Sequence, residues 1–186
     1  MLAIDPATCA MVIEKGNPLA STATASSTEL SPASGAAVNG ITSTGAVAAS
    51  TSHTEAWIHG WYVDPIGLDL NRVVDYAVWN FNGSCVTSGS VGRNLGWDGG
   101  TGWYLESDPF SSSLNCTDVL SQSSGTEYQN NIFCAGQSTY TYYNPFWIKG
   151  LANGTATVRG VLSNAGLCGH ILYPDITYGF GSPPGA

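Results

Sequence analysis

The sequence predicts an all-β protein: an antiparallel two-layer sandwich, immunoglobulin-like or jelly-roll, preceded by a short helix and an extended arm. Three observations predict it. Ser and Thr together make up 38 of the 186 residues, beside 23 Gly, 9 Tyr and 6 Trp, a composition typical of strands and turns. After residue 54, apolar and polar residues alternate with a period of two. Turn signals then recur at roughly ten-residue spacing, with no helical segments between the strands.

The clearest strand follows Thr54. Trp57, His59 and Trp61 fall on one face of it, and the dipeptide Asp64-Pro65 ends it. The next strand ends at a strong turn dipeptide, Asn-Gly. Residues 111–124 are predicted to be a polar loop. The predicted strands after the first cover residues 72–81, 86–91, 101–105, 127–134, 138–143, 146–149, 155–162 and 167–173.

The N-terminal quarter differs in composition from the rest. Asp5 is a candidate N-cap for a helix over residues 6–15, and Gly16 is a candidate stop. Such a helix is too short to persist alone in water, so it needs a surface to dock on. The following tract is rich in Ser, Thr and Ala, which is typical of a flexible or extended segment. We therefore divide the chain into an arm, 1–54, and a sandwich domain, 55–186.

Charge excludes several classes of partner. The chain carries 5 Lys and Arg against 13 Asp and Glu, a formal net charge of −8. No basic patch is available to neutralise phosphates, so we expect no nucleic-acid binding. No apolar run approaches the roughly 18 residues of a membrane span, so we expect no membrane insertion. Nothing in the sequence calls for a cofactor.

The five cysteines lack the spacing of zinc ligands, which leaves disulfides or buried thiols. Two bridges and one free thiol allow 15 pairings, and the sequence does not choose among them. Cys9 lies on the arm and is a candidate for an intermolecular thiol. The candidates for disulfides within the domain are Cys85, Cys116, Cys134 and Cys168.

Catalytic and metal-binding patterns are weak, and we expect a protein that is not an enzyme. No Gly-x-Ser-x-Gly motif is present. Cys168 with His170 is a conceivable nucleophile and base, but a disulfide-bonded Cys168 is the better interpretation. Four aspartates near predicted turns are weak candidates for calcium ligands and equally good turn formers. These are Asp64, Asp69, Asp98 and Asp108.

Aromatic residues offer a binding surface. Exposed rings can stack on the apolar faces of sugars while amides and carboxylates bond the hydroxyls. The same rings could instead fill the core, because the chain has only 2 Met. Two of the segments echo each other, Gly60-Trp61-Tyr62 and Gly102-Trp103-Tyr104. The candidate sugar platform consists of Trp61, Tyr62, Trp97, Trp103 and Tyr104.

Two functions follow as hypotheses. The first is a non-enzymatic structural subunit of an exposed assembly, such as a virion surface, a decoration protein or an extracellular filament. Its arm would contact copies of the same chain or other structural subunits. The alternative is a secreted adhesion or carbohydrate-binding module with glycans as partners. Both place the protein outside the cell or on a virion surface.

Overall fold

The fold is a sandwich of two antiparallel β-sheets, which confirms the predicted all-β class. The structure is a computed structural model that describes residues 3–5, 10–15 and 51–183. Nothing in these ranges is a helix long and apolar enough to cross a membrane. The strands are β1 (Ala3–Asp5), β2 (Ala10–Lys15), β3 (Ser52–Val63), β4 (Asp69–Phe81), β5 (Val86–Trp97), β6 (Trp103–Ser107), β7 (Phe110–Leu114), β8 (Asp118–Ser123), β9 (Thr126–Cys134), β10 (Gln137–Leu151), β11 (Ala156–Gly166) and β12 (Tyr173–Phe180).

The larger sheet, sheet A, is organised around β10. One edge of β10 pairs with β11, which continues to β2 and β1. The other edge is shared: its first half pairs with β9 and its second half with β8. The change of partner occurs at Asn144 and Pro145, where the pairing with β11 also shifts. Sheet A therefore forks, with β6 beyond β9 and β7 beyond β8.

The smaller sheet, sheet B, has the order β12-β3-β4-β5. Its strands β3, β4 and β5 are 12, 13 and 12 residues long, well above the five or six residues of an average strand. β3 and the second half of β4 alternate between core and solvent, as strands with one buried face must, whereas Val86 is the one buried residue of β5. This length lets one sheet cover both branches of the fork in sheet A.

Aromatic side chains fill the space between the sheets. The hydroxyl or indole N–H groups of several of these rings donate to backbone carbonyls, which lets large amphipathic side chains occupy a core. Tyr62 Oη donates to the Ser163 carbonyl over 2.7 Å, and Trp79 Nε1 donates to the Leu151 carbonyl over 3.0 Å. The largest fully buried side chains include Trp79, Trp103, Tyr62, Tyr128, Tyr143 and Phe146.

The N-terminal prediction is tested only in part. Residues 6–9 and 16–50 lie outside the described residues, so most of the predicted arm and the first part of the predicted helix 6–15 do too. The segments on either side of the first gap are the strands β1 and β2. Strand β2 pairs antiparallel with β11 of the same chain, with Lys15 opposite Ala156. Strand β3 begins at Ser52, two residues before the predicted boundary.

Candidate functional site

The outer face of sheet A carries a group of tyrosine and amide side chains. We call it the tyrosine–amide face. Strands β6, β9 and β10 lie side by side here, and the register places Tyr104 opposite Gln129 and Gln129 opposite Tyr140. Period-two alternation sends these residues outward while their neighbours enter the core. The members of the face are Tyr104, Gln129, Asn131, Ser138, Tyr140 and Tyr142.

Hydrogen bonds connect the face across the three strands. Gln129 Nε2 donates to Asn131 Oδ1 over 2.6 Å and to Tyr140 Oη over 3.2 Å. Asn131 Nδ2 donates to Tyr104 Oη over 2.8 Å, and Ser138 Oγ donates to Asn131 Oδ1 over 2.8 Å. The amides thus hold tyrosines from two different strands in place, which lowers the entropy lost when a ligand contacts the rings.

Two of the tyrosines present their rings together. The Tyr140 and Tyr142 rings are nearly parallel, with planes 15° apart and centroids 6.2 Å apart. Partial burial and the nearby Glu127 carboxylate raise the pKa of Tyr142. Its hydroxyl therefore stays neutral at physiological pH and can both donate and accept a hydrogen bond. The face offers apolar ring surface beside neutral polar groups.

A second concave feature lies where β4 and β5 meet. We call it the β4–β5 cleft. Its volume is about 280 Å³. Trp97, at the end of β5, is 46% exposed and forms part of its wall. The remaining lining residues are Asp69, Leu70, Asn71, Arg72, Gly96 and Asp98.

Gly96 determines where the Arg72 side chain lies in this cleft. The two residues are directly opposite each other in the β4–β5 pairing. A Cβ atom on Gly96 would come 2.7 Å from Arg72 Nε and 3.0 Å from its Cγ. Because glycine has no side chain, the arginine can lie flat across β5. The guanidinium is thereby held at the cleft.

Asn71 lines the same cleft and has one unsatisfied end. Its side-chain oxygen accepts from Tyr143 Oη over 2.8 Å and from Thr141 Oγ1 over 3.0 Å. Its Nδ2 atom is buried and has no hydrogen-bond partner among the described residues. Buried polar groups are nearly always hydrogen-bonded, so an unpaired amide needs a reason.

The five residues of the predicted sugar platform do not form one surface. Tyr62 and Trp103 are 0% and 1% exposed and belong to the core, which corrects their placement on the platform. The core fills its volume with them because it is poor in large aliphatic residues. Trp61 lies on the outer face of sheet B, Trp97 at the cleft, and Tyr104 on the tyrosine–amide face.

The sequence prediction missed the amides that organise the tyrosine–amide face. Gln129 and Asn131 lie two residues apart on β9, and Tyr140 and Tyr142 do so on β10. The sequence does indicate that Tyr140 and Tyr142 share one face of a strand, because they alternate with Thr139 and Thr141. What the sequence did not give was the pairing of β9 with both β6 and β10.

The disulfide candidates are confirmed as four paired cysteines. Cys85 bonds to Cys116, which joins the turn after β4 to the turn after β7 and so links the two sheets. Cys134, at the end of β9, bonds to Cys168 after β11. Cys168 is therefore not a thiol nucleophile. Cys9 lies outside the described residues. Disulfides are typical of proteins that fold in oxidising compartments.

The four candidate calcium aspartates have separate roles. Asp64 Oδ1 accepts from the backbone N–H groups of Ile66 and Leu68, and Asp98 Oδ1 accepts from that of Gly100. Asp69 lines the cleft, and Asp108 pairs with Arg93. In the part of the chain that the structure describes, no three His, Cys, Asp or Glu side chains meet in a way that could hold a metal ion.

The interior holds one cluster of charges. Arg93 donates to both oxygens of Asp75, over 2.6 and 2.7 Å, and to Asp108 Oδ1 over 2.6 Å. Thr126 Oγ1 also donates to that Asp108 oxygen over 2.6 Å. The cluster joins β4 and β5 of sheet B to β9 of sheet A. We interpret it as a structural tie between the sheets.

Burial dominates the ionisation of Asp75. It raises the pKa of this carboxyl to about 6, against the opposing effect of Arg93. Two carboxylates share one guanidinium, so a proton on Asp75 leaves a neutral pair of Arg93 with Asp108. At a pH below this pKa the cluster therefore carries no uncompensated charge in the core.

Comparison with known proteins finds no relative of this chain. No protein-family model matches the chain, and no curated protein or solved structure matches it.

Proposed function

We propose that this chain is a non-enzymatic carbohydrate-binding module of an extracellular protein, and that the tyrosine–amide face is its binding surface. The observation that carries the proposal is the hydrogen-bonded row from Tyr104 through Asn131 and Gln129 to Tyr140. It combines aromatic rings with amides already held in position. The two disulfides support an oxidising location.

The chemistry of the face matches a neutral glycan. Sugar rings have apolar C–H faces that pack on aromatic rings, and hydroxyls that both donate and accept hydrogen bonds. The amides and hydroxyls of the face offer both donors and acceptors to sugar hydroxyls. Glu127 lies opposite Tyr142 beside these groups, so its carboxylate disfavours an anionic ligand.

The spacing of the face favours a chain over a single sugar. Tyr104 and Tyr140 lie on strands separated by β9, which is two strand spacings or about 9.6 Å. A ligand that contacts both rings must therefore extend across three strands. An oligosaccharide lying across the strands does so, and successive sugar units can then contact successive tyrosines.

A glycan array with wild-type protein and two tyrosine variants tests this proposal. Tyr140→Ala removes a ring from the centre of the face, and we expect it to weaken binding at least about tenfold, the loss typical of one good aromatic contact. Tyr173→Ala is the matched control, since Tyr173 is 57% exposed on the opposite sheet. Equal binding by wild type and Tyr140→Ala, or no glycan bound at all, would contradict the proposal.

A second candidate function is the structural subunit of an exposed assembly, such as a virion surface or an extracellular filament. The outer face of sheet B favours it. Trp57, Tyr76 and Val78 point outward there: Trp57 lies opposite Tyr76, and Val78 follows two residues later on β4. An apolar sheet face of this kind fits a second copy of the chain better than it fits water.

Light scattering coupled to size-exclusion chromatography tests the assembly function. The assembly function predicts a concentration-dependent mass above 19.3 kDa for the intact chain. It also predicts that Val78→Lys, which places a charge on this face, returns the mass to that of a monomer. Gln122→Lys on the outer face of sheet A is the control. An intact chain that stays monomeric at high concentration contradicts the assembly function and leaves glycan binding untouched.

A further inference from the structure

The β4–β5 cleft has the features of a ligand site that is separate from the tyrosine–amide face. We infer that it binds one sugar ring, or a small polyol of similar shape, with Trp97 as the stacking surface and Asn71 as a buried donor. This inference stands independently of the proposed function, because it concerns residues of the opposite sheet.

The size of the cleft selects a small ligand. Pockets for drug-sized molecules usually range from about 300 to 1,000 Å³. The cleft, at about 280 Å³, falls just below this range. This volume has room for a single ring. The exposed indole of Trp97 forms a wall on which the C–H face of such a ring can pack.

Asn71 is the strongest evidence that the β4–β5 cleft binds a polar ligand. The residue is 2% exposed, and its oxygen is fixed by Tyr143 and Thr141. These two bonds fix the orientation of the amide and leave Nδ2 as a donor without an acceptor. An unsatisfied buried donor is costly, and a ligand oxygen that reaches Nδ2 by displacing the side chains that cover it removes that cost. A hydroxyl group is such an acceptor.

The charges around the cleft indicate a neutral ligand with many hydroxyls. Asp69 and Asp98 provide acceptors, while Arg72 and Asn71 provide donors. An anion would meet two carboxylates and a cation would meet the guanidinium, so neither is favoured. Adjacent hydroxyls on one ring can donate to a carboxylate and accept from the guanidinium at the same time.

Gly96 acts as a positioning residue for this site. It allows Arg72 to lie flat, and any side chain at position 96 would displace the guanidinium. The displaced atoms belong to a flexible surface side chain, so the protein should tolerate Gly96→Ala. The substitution therefore separates a role in binding from a role in folding.

The test is a titration of ¹⁵N-labelled full chain with glucose, galactose, mannose and N-acetylglucosamine, each as the free monosaccharide. We expect at least one of them to shift the Asn71 side-chain amide and the Trp97 indole N–H signals together and saturably. Affinities near 1 mM, roughly, are typical of a single small ring. No saturable shift with any sugar, or saturation at Trp97 with an unchanged Asn71 amide, would overturn the inference.

Three variants complete the test. Trp97→Ala should weaken the affinity for the monosaccharide about tenfold, through loss of the stacking contact. Gly96→Ala should weaken it with an unchanged melting temperature. Gln122→Lys should leave it unchanged, because Gln122 lies on the outer face of sheet A and belongs to neither proposed site. A monosaccharide affinity that is kept in Trp97→Ala overturns the cleft assignment and leaves the tyrosine–amide face standing. An oligosaccharide affinity that is kept in Tyr140→Ala counts against the tyrosine–amide face alone.

Discussion

Two segments with the same three residues adopt opposite orientations in this protein. In Gly60-Trp61-Tyr62 the tyrosine is fully buried and the tryptophan faces outward. In Gly102-Trp103-Tyr104 the tryptophan is buried and the tyrosine faces outward. Residue identity does not decide which ring enters the core, since both are large amphipathic aromatics. The strand register decides it.

The preceding glycine explains the difference. Gly60 lies inside β3, so the alternation simply continues through it, and its neighbour Trp61 takes the outward position. Gly102 precedes β6 and has φ +88°, a conformation open to glycine that ends the 3₁₀ turn Gly99–Thr101. The turn sets the register of β6 anew, and Trp103 enters the core. This places Tyr104 on the face we propose as the binding surface.

Removing the buried tryptophan should have the largest effect. We expect Trp103→Ala to lower the free energy of unfolding by about 3–5 kcal/mol, the usual cost of truncating a buried aromatic side chain. Trp61→Ala, in the equivalent position of the other segment, should cost roughly 1 kcal/mol or less. Urea denaturation of both variants measures the difference. Equal losses would show that the two segments do not differ in burial as described.

The ionisation of the buried Asp75 carboxyl should have a smaller effect on folding stability, and this effect depends on pH. Its pKa in the folded state is about 6, above the 3.8 of an exposed carboxyl. Protonation therefore favours the folded state. The contribution is full below about pH 4 and is lost as the pH rises through about 6. A ¹³C titration of the carboxyl carbon should have its midpoint near pH 6; a midpoint below 4 would mean that Arg93 outweighs burial.

Removing the hydroxyl group should affect stability differently at Tyr62 and at Tyr104. Tyr62→Phe should cost about 1 kcal/mol, because the hydrogen bond from the buried Tyr62 to the Ser163 carbonyl is lost. Tyr104→Phe removes an acceptor for Asn131 at the surface, and we expect a change within about 0.5 kcal/mol. Thermal unfolding of both variants checks this. The opposite ranking would contradict the assignment of Tyr62 to the core.

Much of the fold was predictable from residue patterns. Alternation around Trp57 and Trp61 predicted β3, and Asn82-Gly83 correctly marked the turn after β4. Residues 111–124 were expected to be a loop, yet they hold most of β7 and all of β8. Serine has weak strand propensity, and in β7 the strand is fixed by pairing with β8 instead.

The candidate site was less predictable because it depends on pairing between strands that are far apart in the sequence. Tyr104 was predicted, but Tyr62 and Trp103 were assigned to the same platform, since no alternation rule fixes the register after a turn. Gln129 and Asn131 carry no signal of their own; they matter only because β9 brings them between β6 and β10. The buried Nδ2 of Asn71 follows from contacts across the two sheets, which sequence spacing does not reveal.

The most direct test of glycan binding by the tyrosine–amide face is a map of oligosaccharide binding on ¹⁵N-labelled protein. We use the glycan that binds best on the array and follow backbone and side-chain amide signals. We expect the largest shifts to cluster on Gln129, Asn131, Ser138 and Tyr140, on the outer face of sheet A. Shifts confined to the outer face of sheet B, or spread evenly over the protein, would contradict it.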